Sequence, residues 1–285
     1  MVTLKTTEQI AKMREAGKIV AAMLATTRDA VKPGVTTADL DRIAAGVLAR
    51  AGAKSSFLGY YGYPATICTS VNEQIVHGIP GKRKLREGDI IGIDAGAIVD
   101  GWHADAAITV PVGRVSAHAE KLIRVTREAL ARGIAAARIG NRLGDIGAAV
   151  QQYVEGEGFS IVRNYVGHGI GRAMHEEPQV PNYGLADLGR VIKEGLCIAI
   201  EPMVNVGGIA TRVLDDSWTV VTEDGSLSAH FEHTVACLPD GPLVLTAVDW
   251  GSFEGGSAGA GEARAGRTGR TKGTTSSDAA SKVPA

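Results

Sequence analysis

The sequence is poor in cysteine and carries no surplus of basic charge. Only three of its 285 residues are cysteine, Cys68, Cys197 and Cys237, and they are far apart with no CxxC pair. Secreted domains held by disulfides have dense and even-numbered cysteines, so we expect a reducing, cytosolic compartment. Thirty Lys and Arg stand against 31 Asp and Glu, a formal net charge of -1. No global positive field is available to bind nucleic acid or an anionic membrane surface.

Long apolar runs are also missing. No stretch approaches the roughly 18 apolar residues that a membrane span needs. The N-terminus has no basic region followed by an apolar core and a cleavage site, so we expect no targeting segment.

The composition divides the chain into two parts. Between residues 251 and 285, 24 of 35 residues are Gly, Ala, Ser or Thr. Such a segment buries too little apolar surface to offset the entropy of ordering it, so the sequence predicts a disordered tail at 251–285. Residues 1–250 are predicted to form the folded domain that carries the function.

The folded part repeats an order of two helices followed by strands. Helical spacing and capping signals predict the helices: Thr6 and Gln9 resemble a capping box, and Gly52 is typical of the residue after a helix end. Runs of β-branched residues predict the strands. The predicted helices end near residues 31, 52, 137 and 155, and the clearest predicted strands cover 66–71, 90–97, 104–110, 195–201, 218–222 and 233–238.

The repeat is visible in the letters as well. The octet EGDIIGID at 87–94 aligns with EGLCIAIE at 194–201, and both octets end in a carboxylate. Chance coincidence of turn glycines and β-branched runs is one explanation. The other is a chain of two related halves, each of which brings an acid into a shared cleft.

A hairpin signal places two carboxylates side by side. Asp100-Gly101 between two strand-like runs is typical of a two-residue turn. In that register Asp94 opposes Ala107, and Asp105 lies diagonally beside Asp94, roughly 7 to 8 Å away at the backbone. Two anions so placed repel each other unless a proton, a lysine or a divalent metal lies between them.

Further acids lie where apolar strands end. Asp94 closes the run Ile90–Ile93, and Glu201 closes Cys197–Ile200 before Pro202 terminates the strand. Glu232 precedes another apolar strand. Taken singly, each acid could lie on an exposed face or turn, but an unpaired charge in such a run costs several kcal/mol. Together with Asp105, these acids make four at predicted strand ends, and as a group they indicate a common site.

Histidine provides the remaining type of ligand. His168 lies between glycines in GHGIG, where we expect the backbone to approach a ligand closely. His77 and His175 are further candidates, although a lone histidine is more often an ordinary loop residue. One histidine with four carboxylates forms a hard, oxygen-rich set that suits Mn²⁺, Fe²⁺ or Co²⁺ and tolerates Zn²⁺.

The pattern of these acids and histidines, with the stretch GHGIGRAMHEEPQVPNYG, resembles the type I methionine aminopeptidases of peptidase family M24. The resemblance covers about residues 3 to 245 and extends to GYYGYP at 59–64 and DSWT at 216–219. It implies an α/β (α+β) architecture, the pseudo-two-fold "pita-bread" fold of creatinases and aminopeptidases, with a central curved antiparallel sheet flanked by helices.

The resemblance also implies a reaction. The family removes the N-terminal methionine of nascent proteins when the second residue is small, by attack of an activated hydroxide on the scissile amide. It uses two divalent metal ions per chain, which can be Co, Mn, Fe or Zn. The ligand residues that it implies are Asp94, Asp105, His168, Glu201 and Glu232.

Catalytic and pocket residues follow from the same resemblance. Glu201 would shuttle the proton, His175 would stabilise the developing oxyanion, and His77 would contact the scissile amide. The implied methionine side-chain pocket is lined by Tyr60, Tyr63, Cys68, Met174 and Trp218. The family often has Cys at the position of Phe57 and Phe at that of Met174, so we expect the pocket of this protein to differ in shape from the family's usual pocket.

Two other functions remain open. An Xaa-Pro aminopeptidase has the same fold, although the long N-terminal domain typical of that enzyme is not in this sequence. An inactive relative that serves as a binding scaffold is the second alternative, but such relatives usually lose metal ligands. We expect a cytoplasmic monomer that acts on nascent polypeptides, and whether its tail contacts the ribosome is open.

Overall fold

Four α-helices form in two pairs. In the computed structural model, which describes residues 2–247, α1 begins at the predicted capping box: Thr6 Oγ1 accepts from Gln9 N, and Gln9 Oε1 accepts from Thr6 N. α2 ends at Gly52, whose φ of 63° is the left-handed conformation that glycine adopts without strain. The helices are α1 (Thr7–Ala30), α2 (Thr37–Ala51), α3 (Ala117–Ala136) and α4 (Leu143–Gly156).

Fifteen strands lie within the described residues. They are β1 (Lys54–Ser55), β2 (Ile67–Val71), β3 (Gln74–Val76), β4 (Ile90–Val99), β5 (Trp102–Pro111), β6 (Ser160–Ile161), β7 (Gly167–Gly169), β8 (Glu176–Val180), β9 (Cys197–Ile200), β10 (Met203–Asn205), β11 (Thr211–Val213), β12 (Val220–Thr222), β13 (Ser228–His230), β14 (Glu232–Leu238) and β15 (Gly241–Val244).

The main sheet is antiparallel and has nine strands. Its order is β1-β4-β5-β14-β9-β7-β8, with β2 also paired to β4 and β15 also paired to β14. Strands β13-β10-β6 and β11-β12-β3 form two smaller sheets. The sheet is flanked by helices, because α1 packs on β4 and β5 while α3 packs on β9 and β14. The predicted α/β architecture and its repeated element order are confirmed.

The hairpin of β4 and β5 has the predicted register. Val99 pairs with Trp102 across the two-residue turn, and Asp94 pairs with Ala107. Asp105 pairs with Gly96 and therefore lies diagonally beside Asp94 on the same face. Local turn chemistry thus determines the relative position of the two carboxylates.

The prediction that the acids lie at strand ends is wrong for two of them. Asp94 and Asp105 are interior residues of ten-residue strands. Both strands continue because their backbone groups find partners up to the turn, and a hydrogen-bonded ladder does not depend on the polarity of one side chain. Glu201 does follow the end of β9, and Glu232 opens β14.

Three further sequence-based expectations concern the predicted tail, membrane helices and the cysteines. The predicted tail at 251–285, and the end of the predicted domain 1–250, lie outside the described residues. Across residues 2–247, no helix combines the length and the apolar character needed to cross a membrane. Cys68, Cys197 and Cys237 are all buried and unpaired.

Candidate metal centre and active site

Five neighbouring strands each bring one of the predicted metal ligands to the site. The strand order β4-β5-β14-β9-β7 is continuous. Along that order the strands carry or adjoin Asp94, Asp105, Glu232, Glu201 and His168.

The register of these strands places the carboxylates on one face. Ala107 of β5 pairs with Asp94 on one side and with Glu232 on the other. Asp105 lies two residues from Ala107 and therefore projects to the same side. Asp94, Asp105 and Glu232 thus surround one small area of the sheet.

Burial changes the ionisation of these acids. Asp105 is 3% exposed and Glu232 is 2% exposed. Burial raises the pKa of Asp94 to about 7. Burial, followed by repulsion from the neighbouring acids, holds the pKa of Asp105, Glu201 and Glu232 well above the usual range. The four acids cannot all ionise together without a compensating cation.

The donor atoms fit a divalent cation. Asp94 Oδ1, Asp105 Oδ1 and Glu232 Oε1 are buried and have no hydrogen-bond partner, although buried polar atoms are normally satisfied. One donor atom from each of Asp105, His168 and Glu232 lies within 4.8 Å of the others. Three unsatisfied carboxylate oxygens with a nearby imidazole match the ligands that hard and borderline metals prefer.

His168 is neutral and lies on β7, a strand that packs closely against the backbone of its neighbours. Burial lowers its pKa to about 3, so its ring nitrogen is available as a ligand. Its Nε2 lies 3.6 Å from Glu201 Oε1. The flanking Gly167 and Gly169 serve strand packing, because a Cβ there would overlap the carbonyl oxygens of Ala199 and Glu177. The close backbone approach that we expected at these glycines is therefore made to neighbouring strands.

The acids lie in a cavity of about 140 Å³ that also has an apolar wall. Part of this wall is a cluster in which Phe57 meets Tyr63 edge to face at 6.5 Å between ring centroids. All twelve predicted site residues line the cavity, together with Phe57. They are Tyr60, Tyr63, Cys68, His77, Asp94, Asp105, His168, Met174, His175, Glu201, Trp218 and Glu232.

Two histidines lie on the cavity wall beside the acids. His175 lies against His168, with 4.2 Å between ring centroids, and its Nδ1 is 2.7 Å from Tyr60 Oη. His77 lies 6.4 Å from Trp218 between ring centroids. Burial lowers the pKa of both histidines, that of His77 to about 4. Both rings are therefore neutral near pH 7.

Sequence reasoning missed His230. This residue ends β13, is 3% exposed, and directs an Nε2 without a hydrogen-bond partner to within 4.0 Å of Glu201 Oε2. Burial lowers its pKa to about 3. Its position two residues before Glu232 was the available signal, but only the folded structure places its ring beside Glu201.

Comparisons with known proteins agree with this geometry. The model of metallopeptidase family M24 matches residues 11–238. The methionine aminopeptidase of Clostridium perfringens is 52% identical over 248 residues, which is 87% of this chain and 100% of that protein. The crystal structure of the Rickettsia prowazekii methionine aminopeptidase superposes with a TM-score of 0.85 at 43% identity, covering 87% of this chain and 100% of that one.

A more distant structure shares the fold alone. The prolidase of Pyrococcus horikoshii superposes with a TM-score of 0.70 at 18% identity, covering 86% of this chain and 64% of that one.

The fold and the buried donor cluster define a metal-dependent hydrolase with pita-bread architecture. The chain belongs to metallopeptidase family M24. The resemblance to methionine aminopeptidases is therefore confirmed.

Proposed function

We propose that this protein is a methionine aminopeptidase, which removes the N-terminal methionine of polypeptides whose second residue is small. The observation that carries the proposal is a single cavity with a cluster of buried acids on one side and an apolar, sulfur-containing wall on the other. The relatives at about 50% identity support this function over the alternatives.

The metal ligands are proposed as two overlapping sets. Asp94, Asp105 and Glu232 would hold one divalent ion, and Asp105, His168, Glu201 and Glu232 would hold the other, so that Asp105 and Glu232 bridge. When bound, such ions lower the pKa of a coordinated water and polarise the scissile carbonyl. Co, Mn, Fe and Zn are the candidate metals for this donor set.

Three side chains handle protons and charge in this proposal. Glu201 accepts a proton from the attacking water and returns it to the leaving amine, because its carboxylate lies in the cavity beside the other acids. His175 donates to the oxygen on which negative charge develops. His77 contacts the scissile amide from the pocket side of the cavity.

The apolar wall is proposed as the methionine side-chain pocket. Tyr63, Cys68 and Met174 are buried and pack together, with Tyr60 and Trp218 against them. Burial raises the pKa of the Cys68 thiol, so this sulfur stays uncharged and presents a soft, polarizable surface. A flexible thioether fits such a pocket, whereas a charged first residue finds no partner there.

The cellular setting follows from the substrate. Nascent chains carry their initiator methionine where they are made, so we place the protein in the cytoplasm as a monomer that acts on them. A contact between its tail and the ribosome would be compatible with this function. We assign no nucleic-acid or membrane partner.

A substrate series tests the function. We expect kcat/KM for Met-Ala-Ser to exceed that for Leu-Ala-Ser by about 10- to 200-fold, the range that shape alone gives in an apolar pocket. Met-Lys-Ser should be a poor substrate because its second residue is large. Faster cleavage of Ala-Pro-Ser than of Met-Ala-Ser would instead favour an Xaa-Pro aminopeptidase. No turnover after chelation and add-back of each candidate metal would favour the inactive scaffold.

A further inference from the structure

Tyr60 makes a direct hydrogen bond to His175. The phenol oxygen lies 2.7 Å from Nδ1 of the imidazole, and the ring centroids are 5.4 Å apart. The two residues are 115 positions apart in the chain. The contact therefore joins the predicted side-chain pocket to the histidine that we assign to the reaction.

The turn that carries Tyr60 is fixed by backbone hydrogen bonds. Gly59 precedes the short 3-10 turn Tyr60–Gly62 and Gly62 ends it, with φ of 85° and 86°, values that other residues rarely adopt. Gly59 N donates to Tyr63 O at 2.8 Å, and Tyr63 N donates to Tyr60 O at 2.9 Å. The backbone at Tyr60 is therefore fixed by hydrogen bonds on both sides of the residue.

The hydroxyl is a suitable donor to the ring. Burial, and then the neighbouring Tyr61, raise the pKa of Tyr60, so the phenol keeps its proton. When Nδ1 of an imidazole accepts a hydrogen bond, the ring proton resides on Nε2. Nδ1 of His175 is engaged by Tyr60, and Nε2 is the nitrogen left to donate to a substrate oxygen.

We propose that Tyr60 is a positioning residue that fixes the ring orientation of His175 and its Nε2–H tautomer. The identity of the substrate that Nε2–H contacts rests on the proposed function. The tautomer of His175 does not depend on that function. Tyr60 also lines the side-chain pocket, so a first residue that packs on its ring helps to hold the donor in place.

The kinetic test uses Tyr60→Phe, which removes the hydroxyl and keeps the ring as a pocket wall. We expect kcat on Met-Ala-Ser to fall about tenfold, with KM changed less than threefold, as for loss of one hydrogen bond. The matched control is Tyr153→Phe on α4, whose ring lies under Arg132 at 4.1 Å and does not line the cavity. The control should stay within twofold of the unmodified protein.

A double variant separates positioning from an independent contact. If Tyr60 acts through His175, Tyr60→Phe should add nothing further in a His175→Ala background. If the double variant instead loses kcat by the product of the two single losses, the proposal is overturned. Full activity of Tyr60→Phe would also overturn it.

A spectroscopic readout is independent of turnover. In the Zn²⁺-loaded full chain, ¹⁵N NMR of the histidine rings should show the His175 signal, identified by its loss in His175→Ala, with unprotonated Nδ1 and protonated Nε2. Tyr60→Phe should mix the tautomers, while Tyr153→Phe should not. A protonated Nδ1 in the unmodified protein would refute the proposal. If no peptide is cleaved while the tautomer is as expected, the proposed function fails and the positioning of His175 stands.

Discussion

Lys5 and Glu176 form an ion pair with 2.6 Å between Nζ and Oε2, although 171 residues separate them in the chain. The Lys5 side chain is 1% exposed, and its backbone N donates to Gly195 O. Glu176 also accepts from the backbone N–H groups of Arg172 and Ala173. The N-terminal segment thereby holds the loop on which His175 lies.

We predict that this ion pair stabilises the folded protein near neutral pH and that the stabilisation is lost in acid. Burial alone would raise the pKa of Glu176, but the hydrogen bonds from Lys5 and the Ala173 and Arg172 N–H groups outweigh it, so the folded pKa lies below the usual 4.5. A lowered carboxyl pKa stabilises the fold above the unfolded pKa, and this stabilisation is lost as pH falls through the folded value. Urea denaturation from pH 7 to pH 3 should show that loss.

Glu176→Gln should remove this part of the acid dependence and lower stability at pH 7. The control is Glu177→Gln, the exposed neighbouring acid, which should keep the unmodified profile below pH 4.5. Identical pH profiles for Glu176→Gln and the unmodified protein would contradict the prediction.

Asp105→Asn should abolish the activity while leaving the fold intact. An amide offers one acceptor oxygen without charge at a position proposed to bridge two ions, so we expect turnover to fall at least about a thousandfold. Metal content and circular dichroism should be measured on the same preparation. Asp240→Asn, at the exposed turn before β15, is the control. A metal-loaded Asp105→Asn protein with a tenth of normal activity would rule out the two-ion assignment.

Metal uptake should release protons, and more of them at lower pH. Burial raises the pKa of Asp94 to about 7, and the pKa values of Asp105, Glu201 and Glu232 lie well above the usual range. The metal-free acids therefore hold protons near neutral pH, and a bound cation displaces more of them at pH 6 than at pH 8. His168, with a pKa of about 3, contributes none in that range. Titration calorimetry with Zn²⁺ in buffers of different ionisation enthalpy measures the number released. Equal release at pH 6 and pH 8 would show that no acid of the cluster titrates between these values, and would contradict the prediction.

Gly78→Ala should destabilise the backbone that carries His77. A Cβ at this position would overlap the carbonyl oxygen of Thr69, and Gly78 O accepts from Thr69 N at 2.8 Å. We expect a loss of about 1 to 3 kcal/mol, typical of forced overpacking, with lower activity because His77 moves. At Gly81 the same change meets only Ile79 O at 3.9 Å, so Gly81→Ala should be nearly neutral. Equal stability of the two variants would contradict this account.

The sequence by itself determined the local relationships. Asp100-Gly101 determined the register of β4 and β5, and with it the diagonal placement of Asp94 and Asp105, because a two-residue turn and a side-chain period of two leave no other arrangement. The capping signals at Thr6 and Gly52 were predictable for the same reason: each depends on hydrogen bonds within a few residues.

Only the tertiary structure decided which distant residues meet. The position of β14 between β5 and β9 brings Glu232 beside Asp105, and β5 and β14 lie more than 100 residues apart in the chain. His230, Tyr60 and Lys5 acquire their partners in the same way. Apolar periodicity tells which face of a strand is buried, but not which strand lies next to it. Long-range backbone pairing and burial therefore assembled the site from individually ambiguous residues.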